Sequence, residues 1–340
     1  MSSVLPFDNQ MFATLREWVG GASHIVVVSH RNSDGDAVGS SLGLTHVLRS
    51  LSKEVSLVLP NGCPSTFTWM PGADCIMDGE HGSEECRRAF ESADLVIGTD
   101  FNQTYRISTV QNMLEQAQCH KVLIDHHINP DHKAFDIVFS IPEMSSASEL
   151  CYWIASTVWG SDAIGKDAAT CFYTGIRTDT GNLSFSCSQP SVYTAVGELV
   201  GRGLDPDSIN HHINDNYSLQ RLQFYAFAIT ERLHVFPEQR VAYMVISLDD
   251  QHRFGVNTSE LEGLVNYVLK INDVEVGMLI REEKSRIKVS FRSKFDYNVE
   301  RVAREYFGGG GHLKASGADC TDMTLDEVVS KIKSIFNLDK

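Results

Sequence analysis

The chain has 340 residues, 42% of them hydrophobic, and a net charge of −15. That length suits two domains with a core each, and no run approaches the ~20 apolar residues that a bilayer-spanning helix needs. So acidic a chain is unsuited to coating long duplex nucleic acid, which takes many phosphate contacts, whereas a small anionic substrate held by local cations stays open. The start, MSSVLPFDNQMFATLREW, has neither the basic nor the apolar segment of a signal peptide. The eight cysteines form no C-x-x-C pair, which fits reduced thiols in a cytoplasmic protein with no membrane partner.

Taken in order, the first half alternates strands and helices. HIVVVSH (24–30), VSLVLP (55–60), ADLVIGTD (93–100) and KVLIDHH (121–127) are short apolar runs that predict buried strands. Helices are expected over 37–51, 83–90 and 107–118, then over 146–159, 167–177, 191–202 and 218–231. This order predicts an α/β fold, with an N-terminal open, mostly parallel sheet flanked by helices. A second alternating region predicts a smaller C-terminal α/β domain across a cleft. It holds a hairpin around Pro237, a helix over 258–270, adjacent strands VEVGMLIREE and SRIKVSFRS, a helix over 298–306, and a last helix over 325–337. The division expected is 1–200 for a catalytic domain, 201–235 for a helical connector and 236–340 for a substrate-binding domain.

Three of the predicted strands run into groups that bind metal. The first leads into His30-Arg31-Asn32-Ser33-Asp34-Gly35-Asp36, another ends at Asp100, and another at Asp125-His126-His127. Ligands of an open parallel sheet bind outside the carboxyl ends of its strands, so topology alone draws the three groups to one edge. A fourth, Gly175 to Asn182, places Asp179 at the end of an apolar helix. Each aspartate taken singly also reads as a helix cap or turn residue; the joint placement favours a site. Mixed imidazole and carboxylate ligands without sulfur suit manganese, with magnesium or iron as alternatives. A carboxylate shared by two ions about 3.5–4 Å apart is the arrangement used for in-line displacement at phosphorus.

The ordered segments His30-x-Asn32-x-Asp34-Gly35-Asp36-Ala37, Asp100, Asp125-His126-His127 and Thr178-Asp179-Thr180-Gly181 resemble the four motifs of the DHH phosphoesterases. That family includes RecJ-type exonucleases, nanoRNases that also act on pAp, cyclic-dinucleotide phosphodiesterases and family II pyrophosphatases. Ser33 stands where many relatives carry proline. The resemblance implies two divalent cations, one held by His30, Asp34 and Asp100 and the other by Asp36, Asp100, His126 and Asp179. It further implies that His127 faces the substrate phosphate and that Asp125 orients His126 from behind.

Further along, nine Lys/Arg and five acids between Arg281 and Lys314 leave about +4 there and about −19 elsewhere. Gly263-Leu264-Val265-Asn266, Lys288 to Ser293, and Gly308 to His312 resemble the DHH-associated C-terminal domain. There Arg292, His312 and the backbone of Gly309, Gly310 and Gly311 are expected to grip a nucleotide. The tail differs from that of family II pyrophosphatases. A nanoRNase-type reading follows, with short RNA oligonucleotides or nucleotide phosphates as partners and a homodimer compatible with the chain. The alternatives are a phosphodiesterase for linear or cyclic dinucleotides and a non-catalytic nucleotide sensor.

Overall fold

The computed structural model describes residues 5–215 and 217–338, in two compact units, Met1–Asp215 and Asn216–Lys340. In the first, α1 (Asn9–Gly21) precedes β1 (His24–Val28), α2 (Gly35–Ser50), β2 (Glu54–Leu59), β3 (Ile76–Asp78) and α3 (Ser83–Glu91). Then come β4 (Leu95–Thr99), α4 (Gln111–Gln116), β5 (His120–Asp125) and β6 (Ile137–Ser140). The six strands form one sheet in the order β3-β2-β1-β4-β5-β6, and every pair is parallel. Strands covered on both faces need no polar side, which is why Ile25, Val26, Val27 and Val28 are all fully buried.

The strand order reverses between β1 and β4, and such a reversal opens a crevice at the carboxyl ends of the two strands. His30 follows β1 and Asp100 follows β4, so both lie at this point. The edge strands β3 and β6 have only three and four residues, too few for a hydrophobic period to announce them. The helix expected over 107–118 is instead a 3-10 stretch, Thr104–Val110, followed by α4. Ser108, at φ 44° and ψ −106°, kinks the first piece.

Four helices complete this unit: α5 (Ala147–Trp159), α6 (Lys166–Asp179), α7 (Pro190–Val200) and α8 (Pro206–Asn214). α2 and α6 cross closely because Gly35, Gly39 and Gly43 recur every fourth residue on one face of α2. A Cβ on Gly39 would lie 2.6 Å from the Cys171 carbonyl oxygen and 2.8 Å from Gly175 N. This crossing aims the end of α6, and with it Asp179, at the sheet edge. Gly39→Ala gains helix propensity but meets backbone that cannot rotate away. We expect a net loss of roughly 1–3 kcal/mol, as for other overpacked contacts, readable as a lower urea midpoint; an unchanged midpoint would show that the crossing yields.

The second unit has α9 (Leu219–Glu231), β7 (Leu233–Phe236), β8 (Val241–Ile246), α10 (Leu248–Phe254) and α11 (Leu264–Val268). β9 (Val276–Glu283), β10 (Arg286–Ser293), α12 (Val299–Phe307), β11 (Gly310–His312), β12 (Ala315–Cys320) and α13 (Leu325–Phe336) follow. Its sheet runs β11-β12-β10-β9-β8-β7, antiparallel except for the β8–β9 pair. Burial along β10 alternates strictly, so Ile287, Val289 and Phe291 enter the core while Arg292 stays on the other face. The helix expected over 258–270 is broken: Gly263, at φ +85°, separates a 3-10 turn from α11. None of the helices among the described residues is long and apolar enough to cross a membrane.

Candidate metal centre

Each side chain of the first unit's centre is placed by a backbone feature of the sheet edge. Asp34 caps α2, its Oδ1 accepting from the amides of Asp36 and Ala37, so the cap reading holds for this residue. The same carboxylate lies 4.0 Å from His30 Nε2. Asp36, in the first turn of α2, is buried and accepts from the amides of Ala147 (2.6 Å) and Ser148 (2.8 Å) at the start of α5, a favourable place for an anion. Asp100 adopts φ +60°, a sparsely populated conformation that is retained where function requires it. Its amide donates to the Ile124 carbonyl, fixing the turn after β4 against β5.

The two histidines that face these carboxylates are oriented alike. His30 Nδ1 is 2.9 Å from the Arg31 carbonyl oxygen, and His126 Nδ1 is 3.2 Å from that of Met144. A carbonyl only accepts, so the proton sits on Nδ1 and Nε2 is the nitrogen turned to the site. His30 Nε2 lies 3.3 Å from Asp100 Oδ2. His126 Nε2 lies 3.7 Å from Asp36 Oδ2, 3.5 Å from Asp100 Oδ1 and 3.6 Å from Asp179 Oδ2.

Two triads, His30–Asp34–Asp100 and Asp36–Asp100–His126, therefore share Asp100, with each set of ligand atoms within 4.8 Å. Ligands of one ion at ~2.1 Å stand roughly 3–3.5 Å apart, so only small movements would close either set on a cation. Among the described residues, Asp100 Oδ1 is buried and accepts no hydrogen bond. A buried, unsatisfied carboxylate oxygen is costly, and an imidazole lone pair turned toward carboxylates repels them unless a positive charge lies between. The residues present fit divalent cations.

Without metal, protons take over that role. Burial alone would lower the His126 pKa, but Asp100, Asp179 and Asp36 outweigh it and hold His126 well above its usual value. Burial, with the charges of Asp100 and Asp179, pushes Asp36 well up. Burial works against the charge on Asp100, yet the facing imidazoles of His126 and His30 hold it well below the carboxylate range. Titratable groups driven apart in this way in one crevice mark a functional site.

The expected role of Asp125 needs correcting. Its Oδ1 lies 2.7 Å from His127 Nδ1 and its Oδ2 accepts from the His127 amide, so it orients His127; His126 is turned by Met144. A two-residue offset at a strand end keeps both groups on one side, which the sequence did not reveal. On its other nitrogen, His127 faces Arg106, with Nη1 3.0 Å from Nε2. Sequence reasoning missed Arg106, which belongs to no motif. It also missed the Met144 carbonyl, although Ser146-Ala147-Ser148-Glu149 carries the signature of a helix start there.

In the second unit, Arg292 stands opposite Gly277 on β9 and Ala315 on β12, and its Nη1 donates to the Phe291 carbonyl. Glu283, at the far end of β9, holds Arg281 and Arg286. The glycine run is ordered chain. The Gly309 amide donates to the Ala303 carbonyl, so it closes α12 and cannot also bind an anion. Gly310, Gly311 and His312 form edge strand β11 against β12.

The DHH family N-terminal domain pattern matches residues 24–176, and the DHHA1 domain pattern matches residues 238–338. The solved structure of an exopolyphosphatase-related protein from Bacteroides fragilis is 32% identical, with a TM-score of 0.94, over 99% of this chain and 98% of that one. The chain belongs to the DHH family. The probable bifunctional oligoribonuclease and PAP phosphatase NrnA of Streptococcus mutans is 24% identical over 96% of this chain and 99% of its own length. The cyclic-di-AMP phosphodiesterase GdpP of Bacillus subtilis is 22% identical over 94% of this chain, which spans 48% of that longer protein.

Proposed function

We propose that this DHH-family chain is a metal-dependent hydrolase that cuts very short oligoribonucleotides to mononucleotides and also converts pAp to AMP. The observation that carries the reading is Asp100, shared by two ligand triads where the sheet order reverses. Whole-length similarity to the S. mutans oligoribonuclease and PAP phosphatase supports the substrate class. The role of first metal site goes to His30, Asp34 and Asp100, and that of the second to Asp36, Asp100, His126 and Asp179. Two divalent cations there, of which manganese best suits the mixed ligand set, would supply an activated water and neutralise charge on the phosphate.

The protein's own part is to hold those ligands deprotonated and aimed, and to seat the substrate. Arg292 and His312 are assigned to the nucleotide beyond the scissile phosphate. We place the activity in the cytoplasm, where free thiols such as all eight of these cysteines persist. A panel of two-, three-, five- and twenty-four-nucleotide RNAs, pAp and cyclic di-AMP tests the substrate class. Rapid release of mononucleotides from the shortest RNAs is expected. Preference for cyclic di-AMP would favour the second reading, which the similarity to GdpP supports; hydrolysis of none would leave a nucleotide sensor.

Arg292→Ala should raise KM for a dinucleotide about tenfold with kcat nearly constant, as for any contact equal in ground and transition states. A small activated phenyl phosphodiester, lacking the second nucleoside, should be cut as before. Equal losses on both substrates would remove Arg292 from substrate binding.

A further inference from the structure

We propose that Arg106 is the residue that grips the scissile phosphate in the N-terminal unit, held in position by the chain Asp125–His127–Arg106. The proposal rests on the phosphoesterase reading and revises one part of it, the assignment of His127 as the phosphate-facing group. Both ring nitrogens of His127 are engaged: Nδ1 donates to Asp125 Oδ1 at 2.7 Å, and Nε2 accepts from Arg106 Nη1 at 3.0 Å. An imidazole so used has no donor left for a phosphate oxygen. The side chain that extends the relay, and still has donors, is Arg106.

A guanidinium carries five N–H donors in a planar fork. Among the described residues Arg106 uses one of them, on His127. The crevice holds Asp34, Asp36, Asp100, Asp125 and Asp179, yet Arg106 forms an ion pair with none of these five. A cation present only to balance carboxylates would sit on one. The fork lies against His127, and its charge also reaches His30 of the first triad, so it stands near that triad with donors unspent. A planar fork next to metal sites matches a phosphate's non-bridging oxygens.

The backbone gives Arg106 a fixed position. It lies half-buried in the 3-10 stretch that follows β4, and its carbonyl accepts from the Arg31 amide at 2.9 Å. That bond ties it to the loop carrying His30 and Asp34. Two residues on, Ser108 has φ 44° and ψ −106°, a costly conformation of the kind that functional turns retain.

The test compares wild type, Arg106→Lys, Arg106→Ala, His127→Ala and the double alanine variant. KM and kcat are measured for the dinucleotide pApA. The dissociation constant for AMP, read by calorimetry with manganese present, is independent of turnover. Arg106→Ala should weaken AMP binding and raise KM, each about tenfold, the cost of one charge-assisted contact, and Arg106→Lys should fall between it and wild type. His127→Ala should weaken AMP binding too, and the double variant no more than the worse single one, because members of one network are not additive. If Arg106→Ala lowers kcat alone and binds AMP as wild type does, Arg106 merely props His127 and the proposal is wrong. Should that variant not fold, Arg106→Lys decides, and unchanged AMP affinity there overturns the proposal. A wild type that turns over no phosphate ester overturns the phosphoesterase reading instead, while the AMP series still reports on Arg106.

Discussion

Asp100→Asn is expected to lower kcat by at least about 10³-fold, the scale on which preorganised charge acts in such sites. Asparagine tolerates the left-handed conformation that Asp100 adopts at φ +60°, and it fills the same volume, so the fold should survive. What disappears is the negative charge common to both triads. Metal content measured after gel filtration should drop from two ions toward one or none. When both are stripped of metal the variant should melt earlier than wild type at neutral pH, because the facing imidazoles of His126 and His30 favour the charged carboxylate in the folded state. A folded Asp100→Asn protein with near-normal turnover and two bound ions would remove Asp100 from the centre.

The second large effect concerns stability. In the stripped protein, buried carboxylates face one another with only protons to offset them, so a cation bound to the folded state and not the unfolded one should stabilise strongly. Manganese at one hundred times its dissociation constant adds about 2.7 kcal/mol per site. At about 2–4 °C per kcal/mol for a unit of this size, one site raises the melting temperature by roughly 5–10 °C. Calcium should do less, since the imidazoles of His30 and His126 suit a transition ion better than a hard oxygen-seeking one. Mild acid should diminish the gain, because Nε2 of both histidines must be unprotonated to bind metal. A melting curve that manganese does not move, or one moved as much in Asp100→Asn as in wild type, would contradict the assignment.

Much of this was legible in the residues. The strands β1, β2, β4 and β5 appear as β-branched runs because a parallel sheet covered on both faces admits little else. Strand-end groups converge by topology, so the sequence could bring His30, Asp34, Asp36, Asp100 and His126 together, and Asp179 by its place at a helix end. Other features depend on contacts that no local pattern encodes. Asp125 turning His127 is a matter of strand-end geometry, and Arg106 reaches His127 from a 3-10 stretch that begins ahead of the helix expected over 107–118. Edge strand β11 arises because β12 offers a free ladder to a glycine run, which composition alone describes as a pocket. The four-residue glycine spacing of α2 was visible in the sequence, but its meaning appears only with α6 packed against it.

Hydrolysis of a phosphate ester in a short nucleotide is expected to depend on metal held around Asp100. This dependence is tested most directly by mixing excess chelator-stripped protein with labelled pApA and following AMP release over a single turnover, without and with added manganese. No AMP is expected from the stripped protein, confirmed metal-free by elemental analysis, and full conversion is expected once manganese is restored. AMP released at the same rate by the metal-free protein, or no AMP after two manganese ions are shown to be bound, would contradict it.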